Sequence, residues 1–195
     1  MRVIGLTGGT GAGKTTVLRW LESKGAAALD CDAIYHEMLR DNPMLRMELT
    51  DAFGELFLPD GTLDRAKLGK LVFGDAEKLR QLNTIVYYYM GLEIRCRLAT
   101  LRAENRAMAA IDAINLIESG LGELCDVNVA VLAPEADRLR RIMARDGVSE
   151  EYALARIRAQ QPDTYFRRHC RIVLNNDGGE AALLQDAEAQ LIDFM

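Results

Sequence analysis

A glycine-rich segment near the start of the chain, residues 8–15, constrains the fold more than any other feature. It reads G-G-T-G-A-G-K-T and fits the pattern G-x-x-x-x-G-K-[ST], in which backbone N–H groups surround phosphate oxygens. Residues 2–6 before it are apolar and β-branched enough for a buried strand, and residues 16–24 after it have the apolar spacing of a helix. Gly25 follows where a helix C-cap belongs. This order of strand, glycine loop and helix predicts a P-loop within an α/β fold.

The chemistry of a P-loop assigns roles to its residues. Lys14 would reach the β- and γ-phosphates of ATP, and the Thr15 hydroxyl would ligate Mg²⁺. The N-terminus of the following helix adds a partial positive charge that favours phosphate. The alternative is a chance glycine-rich turn, which the flanking strand and helix disfavour. The predicted ATP-binding residues of this segment are Gly9, Gly11, Ala12, Gly13, Lys14, Thr15 and Thr16.

Composition and charge limit the partners of the chain. The 195 residues suffice for one domain, and 49% hydrophobic with 27% charged residues is ordinary for a soluble globular protein. A net charge of −5 favours neither nucleic acid nor an anionic membrane as partner. The start lacks a signal peptide and no stretch is long and apolar enough to span a bilayer. We therefore expect a cytoplasmic monomer or small homo-oligomer that binds no nucleic acid and no membrane.

Strands that alternate with helices predict a parallel sheet covered on both faces. The interval from residue 34 to about 105 offers no convincing strand and is α-rich, so it is predicted to be a helical insertion. The predicted strands are residues 2–6, 26–29, 107–112, 127–132 and 170–174.

Carboxylates follow two of these strands. Asp30 and Asp32 come after residues 26–29, and Asp112 ends the strand of residues 107–112. Ligands of α/β sheets bind at the carboxyl ends of strands, so Asp32 could accept a proton from an acceptor hydroxyl. Alternatively, Asp32 is the N-cap of the helix predicted to begin at residue 33, or capping and catalysis are divided between Asp30 and Asp32. Asp112 would hold Mg²⁺ directly or through water, as a Walker B aspartate does.

Arginines are concentrated in the last third of the chain. Between Arg138 and Arg171 there are nine arginines and no lysine. Because arginine binds phosphate bidentately, we expect at least two of them to contact phosphate. Arg141 and Arg145 are four apart on one predicted helix and Arg156 lies on the next, as in the lid of small kinases, which covers the transferring phosphoryl group. The alternative is a solvated helix face balanced by nearby carboxylates.

These elements predict a single P-loop kinase domain with three parts. The core comprises residues 1–31, 106–134 and 168–195. The helical insertion of residues 32–105 would bind the acceptor, and residues 135–167 would form the arginine-bearing lid.

Segments beyond the P-loop point to one family. Through them the chain resembles the dephospho-coenzyme A kinases nearly from end to end. The segments are Ile4-Gly5-Leu6-Thr7-Gly8-Gly9, Asp30-Cys31-Asp32, Asp60-Gly61-Thr62-Leu63-Asp64-Arg65 with Leu68-Gly69 and Val72-Phe73, Glu118-Ser119-Gly120, Arg141, Arg145-Asp146, Ser149, Arg156, Gln160 and Asn176.

This resemblance implies transfer of the ATP γ-phosphoryl group to the ribose 3′-hydroxyl of dephospho-coenzyme A, the last step of coenzyme A synthesis. Asp32 would be the base or orienting group for that hydroxyl, and Lys14 and Arg141 would complete the catalytic set. Outside the P-loop, the implied ATP-binding residues are Arg141, Arg145 and Asn176, the last near the base. The implied acceptor-binding residues are Thr7, Asp32, Tyr87 and Asp112, and the implied metal ligands are Thr15 and Asp112.

The chain departs from the family pattern at three places. Tyr87 and Tyr88 stand where a His-Pro pair is usual, and Ile114 and Ile117 replace a proline and an aromatic residue. Thr10 replaces the usual aliphatic residue of the P-loop. The run Tyr87-Tyr88-Tyr89 could stack a base or fill the core, and at least one of the three is expected in the core because consecutive helical residues face different ways.

Other functions remain open at this level. Another small-molecule kinase, acting on a nucleotide or nucleoside, would share the P-loop and the lid. A nucleotide-binding paralogue without transfer activity would share them as well. A GTPase is disfavoured because no N-K-x-D guanine motif is present, and a nucleic-acid ATPase by the acidic charge balance.

Overall fold

The structure, a computed structural model, describes all 195 residues and contains five strands and nine α-helices. The strands are β1 (Arg2–Thr7), β2 (Ala27–Asp30), β3 (Met108–Asp112), β4 (Val127–Leu132) and β5 (Ile172–Asn175). The helices are α1 (Lys14–Ser23), α2 (Cys31–Asp41), α3 (Pro43–Phe53), α4 (Arg65–Val72), α5 (Ala76–Ala103), α6 (Glu135–Asp146), α7 (Glu150–Arg158), α8 (Asp163–His169) and α9 (Glu180–Leu191).

The strands form one sheet in the order β2-β3-β1-β4-β5. The pairs β1–β3, β1–β4 and β4–β5 are parallel, which confirms the predicted type of sheet. Strand β1 lies in the middle, so the loop that follows it leaves the sheet at its centre. In the register, Leu6 of β1 faces Asp112 of β3, and Leu132 of β4 faces Asn175 of β5. The sheet therefore brings the ends of β1, β3, β4 and β5 to one edge.

The chain divides into two compact units, Met1–Leu29 with Leu98–Met195, and Asp30–Arg97. The first unit contains the P-loop and the second consists of helices α2 to α4 and most of α5. The finer division into core, acceptor-binding insertion and lid stays a prediction.

The core of the first unit is built by apolar side chains of the central strands and of the helices that cover them. Ile4 and Leu6 of β1, Leu21 of α1 and Leu183 of α9 are fully buried in one cluster. Their strands are near-continuous apolar runs, as expected for parallel strands buried on both faces. Burial of each such side chain contributes roughly 1.5–3 kcal/mol. The P-loop is therefore anchored at both ends in this buried cluster, through β1 before it and α1 after it.

Side-chain caps set the helix starts in the second unit. The Asp30 carboxylate accepts hydrogen bonds from the N–H groups of Asp32 at 2.9 Å and Ala33 at 3.2 Å, so it is Asp30 that caps α2. The alternative that Asp32 is the cap is therefore wrong, and α2 begins at Cys31. Asn42 and Asp64 cap α3 and α4 in the same way.

The tyrosine run on α5 differs from the prediction. Tyr88 is 60% exposed and Tyr87 and Tyr89 are only half-buried, so none of the three lies in the core. The buried positions of the helix include Ile85, Met90, Ile94 and Leu98, whose spacing of four to five residues leaves the tyrosines on its flank.

Two short elements were not predicted. Helix α8 begins after Pro162 and ends at His169, which delays the last strand to residue 172. A 3₁₀ turn over Leu121–Leu124 precedes β4. None of the helices combines the length and the apolar character that crossing a bilayer requires.

Candidate nucleotide-binding site

The loop between β1 and α1 adopts a conformation that requires glycine. Gly8 has φ 132° and Gly13 has φ 112°, values that residues with a Cβ rarely adopt. A Cβ atom at Gly8 would lie 2.2 Å from the carbonyl oxygen of Val131, and one at Gly13 would lie 2.4 Å from Nδ2 of Asn176. The loop is thus tightly held between β4 and Asn176, and within it the Ala12 amide donates to the Gly9 carbonyl at 3.2 Å.

The start of α1 suits an anion. Gly13 is its N-cap in the left-handed region and supplies no capping side chain to the amides of the first turn. Uncapped amides at the N-terminus of a ten-residue helix carry a partial positive charge. These N–H groups, together with those of the loop, form a cradle of the kind that binds phosphate.

Lys14 lies over the loop that precedes it. Its Nζ atom donates to the carbonyl oxygen of Gly8 at 3.0 Å and lies 3.5 Å from that of Gly9. The ammonium group is therefore held beside the glycine cradle, from which its flexible side chain can move to a phosphate oxygen.

Arg141 of α6 and Asn176, which follows β5, hydrogen-bond to the end of the loop nearest α1. The Arg141 guanidinium donates to the carbonyl oxygens of Gly11 at 3.1 Å and Ala12 at 3.4 Å, and to Oδ1 of Asn176 at 3.3 Å. Nδ2 of Asn176 donates to the Ala12 carbonyl at 2.8 Å, and the side chain is buried. The structure thus brings together two residues that are 35 positions apart in sequence at one turn of the loop.

Arg138 and Gln160 also contact the loop, at Thr10. Arg138 is 7% exposed, and its Nε atom donates to the Thr10 carbonyl at 3.0 Å. The Thr10 amide donates to Oε1 of Gln160 at 2.9 Å. No role for Arg138 was predicted from the sequence, and Gln160 was indicated only by the family resemblance. The spacing of three between Arg138 and Arg141 was the available signal, since it places both on one face of α6.

Arg145 is engaged at the end of α6 rather than at the loop. Its guanidinium makes two hydrogen bonds to the Asp146 carboxylate, at 2.7 and 3.0 Å, and Arg156 of α7 donates to the same carboxylate at 2.7 Å. The hydrogen bonds from Arg145, with further contributions from Arg156, lower the pKa of Asp146 to about 2. Contact of Arg145 with ATP stays a prediction, as does contact of any of these arginines with phosphate.

The oxygen-bearing residues at the edge of the sheet fit a hard cation. Asp112 ends β3 beside β1, and the side chain of Thr15 is exposed on the first turn of α1. A carboxylate and a hydroxyl are donors that suit Mg²⁺, which commonly keeps waters and phosphate oxygens as its other ligands. No group of three or more His, Cys, Asp or Glu residues forms an all-protein metal site. Thr7 is fully buried and its hydroxyl donates to the Ile114 carbonyl at 3.0 Å.

The predicted acceptor residues of the second unit lie on two of its helices. Asp32 is exposed in the first turn of α2, and Tyr87 is half-buried on α5. The same unit contains an open cavity of about 770 Å³ that is lined mainly by basic side chains and also by the carboxylate of Asp60. Nη2 of Arg65 lies 3.2 Å from Nδ1 of His36 there. The basic residues of this lining are His36, Arg40, Arg46 and Arg65.

Solved structures with a similar fold include kinases. Dephospho-CoA kinase from Campylobacter jejuni superposes with a TM-score of 0.60 at 22% identity, covering 99% of this chain and 97% of that one. Shikimate kinase from Acinetobacter baumannii superposes with a TM-score of 0.55 at 18% identity, covering 99% and 93%. The protein therefore has the P-loop kinase fold, as the sequence predicted.

Sequence similarity narrows the class to a family. The family model described as dephospho-CoA kinase matches residues 2–182. The dephospho-CoA kinase of Carboxydothermus hydrogenoformans is 40% identical over 177 residues, which are 90% of this chain and 86% of that protein. A crystal structure from Thermus thermophilus is 35% identical with a TM-score of 0.81, covering 100% of this chain and 98% of that one. The chain belongs to the dephospho-CoA kinase family.

Proposed function

We propose that this protein transfers the γ-phosphoryl group of ATP to the ribose 3′-hydroxyl of dephospho-coenzyme A, releasing coenzyme A and ADP. The observation that carries the proposal is the glycine cradle at the start of α1, with Lys14 beside it, in a chain of this family. The proposed reaction is the last step of coenzyme A synthesis. We expect it to take place in the cytoplasm.

The phosphate chain of ATP would bind on the loop amides of Gly9, Gly11, Ala12 and Gly13 and on those of Thr15 and Thr16. Lys14 would exchange its contact with the Gly8 carbonyl for oxygens of the β- and γ-phosphates. Arg141 would add positive charge where negative charge develops during transfer, an effect that is strongest in a site from which water is excluded. Asn176, held at the Ala12 carbonyl, would lie near the base.

Thr15 and Asp112 would hold Mg²⁺, which would neutralise charge on the transferring phosphates. The residues of the chain then have two remaining tasks, which are to hold the acceptor hydroxyl and to accept its proton.

Asp32 is proposed as the group that orients the 3′-hydroxyl and accepts its proton. Its carboxylate is exposed, and the capping role at α2 belongs to Asp30, so the Asp32 side chain has no capping task. The basic cavity of the second unit supports an anionic acceptor, since arginines bind phosphate oxygens well. Tyr87 is proposed as a further acceptor contact; Thr7 is not, because its side chain is fully buried and its hydroxyl donates to the Ile114 carbonyl.

The test is ADP release with Mg·ATP and a panel of acceptors: dephospho-coenzyme A, adenosine, nucleoside monophosphates and none. We expect stimulation by dephospho-coenzyme A alone, with a product heavier by one phosphate. Stimulation by a different acceptor would make Tyr87, Tyr88, Ile114 and Ile117 determinants of a changed specificity. Binding of ATP without stimulation by any acceptor would contradict the proposal and favour a nucleotide-binding protein without transfer activity.

A further inference from the structure

A buried cation lies directly against the P-loop. The Arg138 side chain is 7% exposed, and burial is the main reason that its pKa is lowered, although Asp163 and Glu135 oppose the shift. Its hydrogen-bond acceptors are a backbone carbonyl and a side-chain amide oxygen rather than a carboxylate. Removing a guanidinium from water is costly, so a buried arginine held by neutral acceptors needs a reason.

The hydrogen bonds of Arg138 converge with those of Gln160 on one residue of the loop. All three polar groups of Thr10 are used: its carbonyl accepts from Arg138 at 3.0 Å, its amide donates to Gln160 at 2.9 Å, and its hydroxyl accepts from Gln160 at 2.6 Å. Nη2 of Arg138 donates to Oε1 of Gln160 at 2.7 Å and closes the network. Thr10 is itself 9% exposed.

The network is specific in its chemistry. Oε1 of Gln160 accepts from both Arg138 and the Thr10 amide, while its Nε2 donates to the Thr10 hydroxyl. An aliphatic residue at position 10 would leave Nε2 without this partner, so the threonine completes the set. The guanidinium also occupies the space beside Gly9, where a Cβ atom would lie 2.2 Å from Nη2.

We propose that Arg138, Gln160 and Thr10 form a buried clamp that holds the turn of residues 9–11 in its phosphate-binding shape, with Arg138 and Gln160 as positioning residues for ATP. The clamp ties the loop to α6 and to the segment between α7 and α8. A loop ordered before ATP arrives loses less conformational entropy on binding. Because the loop contacts ATP in the ground state and the transition state alike, the clamp should change the affinity for ATP more than kcat.

The proposal rests on the proposed use of ATP at this loop, so the experiment measures both in the same assay. Dissociation constants for Mg·ATP are determined by calorimetry, and KM for ATP and kcat are measured at saturating dephospho-coenzyme A. The variants are Arg138→Met, Arg138→Lys, Gln160→Met and Thr10→Val. The matched control is Arg140→Met, the same change on the same helix at an exposed side chain that pairs with Asp137.

We expect Arg138→Met and Gln160→Met to raise both Kd and KM for ATP by about tenfold or more, with kcat within about threefold. Arg138→Lys keeps the charge and should recover part of the affinity. Thr10→Val removes one hydrogen bond and should raise Kd by about two- to fivefold. Arg140→Met should leave Kd and KM unchanged.

Three results would overturn the clamp. The first is a Kd for ATP equal to that of the wild type in all four variants. The second is a lowered melting temperature while Kd, measured at a temperature where the variant is folded, is unchanged. A fall in kcat without a rise in Kd would also contradict it. If Arg138→Met does not fold, Thr10→Val and Gln160→Met decide the question. Absence of ATP binding by the wild-type protein is distinguishable, since it refutes the proposed function before any variant is compared.

Discussion

Gly9 is required for a reason that the P-loop motif does not indicate, namely the proximity of the Arg138 guanidinium. Unlike Gly8 and Gly13, it has no positive φ, so its backbone could belong to any residue. The three atoms nearest to a Cβ placed there, at 2.2, 2.5 and 3.0 Å, all belong to the Arg138 guanidinium. The guanidinium is held by Thr10 and Gln160 and can move only by breaking those hydrogen bonds. Glycine is therefore needed at position 9 for space.

Because glycine is needed at position 9 to make room for the Arg138 guanidinium, we expect the stability effects of changes at Gly9 and Arg138 to be coupled. Gly9→Ala should lower the free energy of unfolding by about 1–3 kcal/mol, as overpacking does. In an Arg138→Ala background the same change should cost less than half as much, because the clashing atoms are gone. Denaturant unfolding of the four proteins of this double-mutant cycle measures the coupling.

Gly8→Ala serves as the control for that cycle. Its clash is with the backbone of Val131, so Arg138→Ala should not relieve it. Equal costs of Gly9→Ala in both backgrounds would show that the glycine is needed for another reason.

The role proposed for Asp32 predicts a loss of activity without a loss of stability. Asp32→Asn should lower kcat by roughly 10²-fold through loss of the base, with Kd for ATP and the melting temperature unchanged because the side chain is exposed. Single-turnover kinetics with calorimetry measure both. The matched control is Asp30→Asn, which removes the neighbouring carboxylate but keeps a good N-cap. Near-normal transfer by Asp32→Asn would remove this residue from the chemistry.

One carboxylate, that of Asp146, joins helices α6 and α7. Asp146 ends α6, Gly147 follows in the left-handed region, and Ser149 caps α7 through the amide of Tyr152. Asp146 accepts from Arg145 of its own helix and from Arg156 of the next. Two arginine-bearing helices thus share this acceptor. The interpretation of Arg145 as a phosphate ligand did not predict this structural role.

This junction predicts a dependence on pH. The pKa of Asp146 is about 2 in the folded protein, below the roughly 3.9 of an unfolded aspartate. Its contribution to stability is therefore complete above about pH 4 and is lost as the pH falls through about 2. Asp146→Asn should lower the melting temperature by a constant amount from pH 5 to 7, and the difference should shrink between pH 4 and 2. Thermal melts across this range measure it.

The control for the pH series is Asp51→Asn, at an exposed position on α3. Its melting temperature should follow that of the wild type throughout. A difference between wild type and Asp146→Asn that stays constant down to pH 2 would contradict the ionic origin of the junction.

Binding of ATP should raise the free energy of unfolding of the whole protein. A ligand that binds only the folded state at a hundred times its Kd adds about 2.7 kcal/mol to the free energy of unfolding. Mg·ATP should therefore raise the melting temperature of the wild type, and Lys14→Ala should abolish most of that rise and the turnover. Thermal melts with and without Mg·ATP measure the shift, and chelation of Mg²⁺ should stop turnover. An equal shift in Lys14→Ala would contradict the assigned role of the lysine.

Local patterns predicted most of the fold. The motif with its flanks predicted β1, the P-loop and α1, and Asn42, Asp64 and Ser149, which are residue types that favour the N-cap, cap α3, α4 and α7. These signals succeed because they act within a few residues, through backbone conformation and side-chain to backbone hydrogen bonds. Helix α8 was missed because its seven residues are too few for a recognisable apolar period.

Residue types at short spacings along the chain were enough to predict the phosphate cradle, the parallel sheet and the family. Which distant side chains complete the loop depends on how the sheet and its helices pack. Arg138 and Gln160 lie 128 and 150 positions from Thr10. The spacing of Arg138 and Arg141 places both on one face of α6 but does not show what that face contacts. The selection of Arg138 and Gln160 follows from the sheet, which brings the ends of β1 and β4 together and places α6 against the loop.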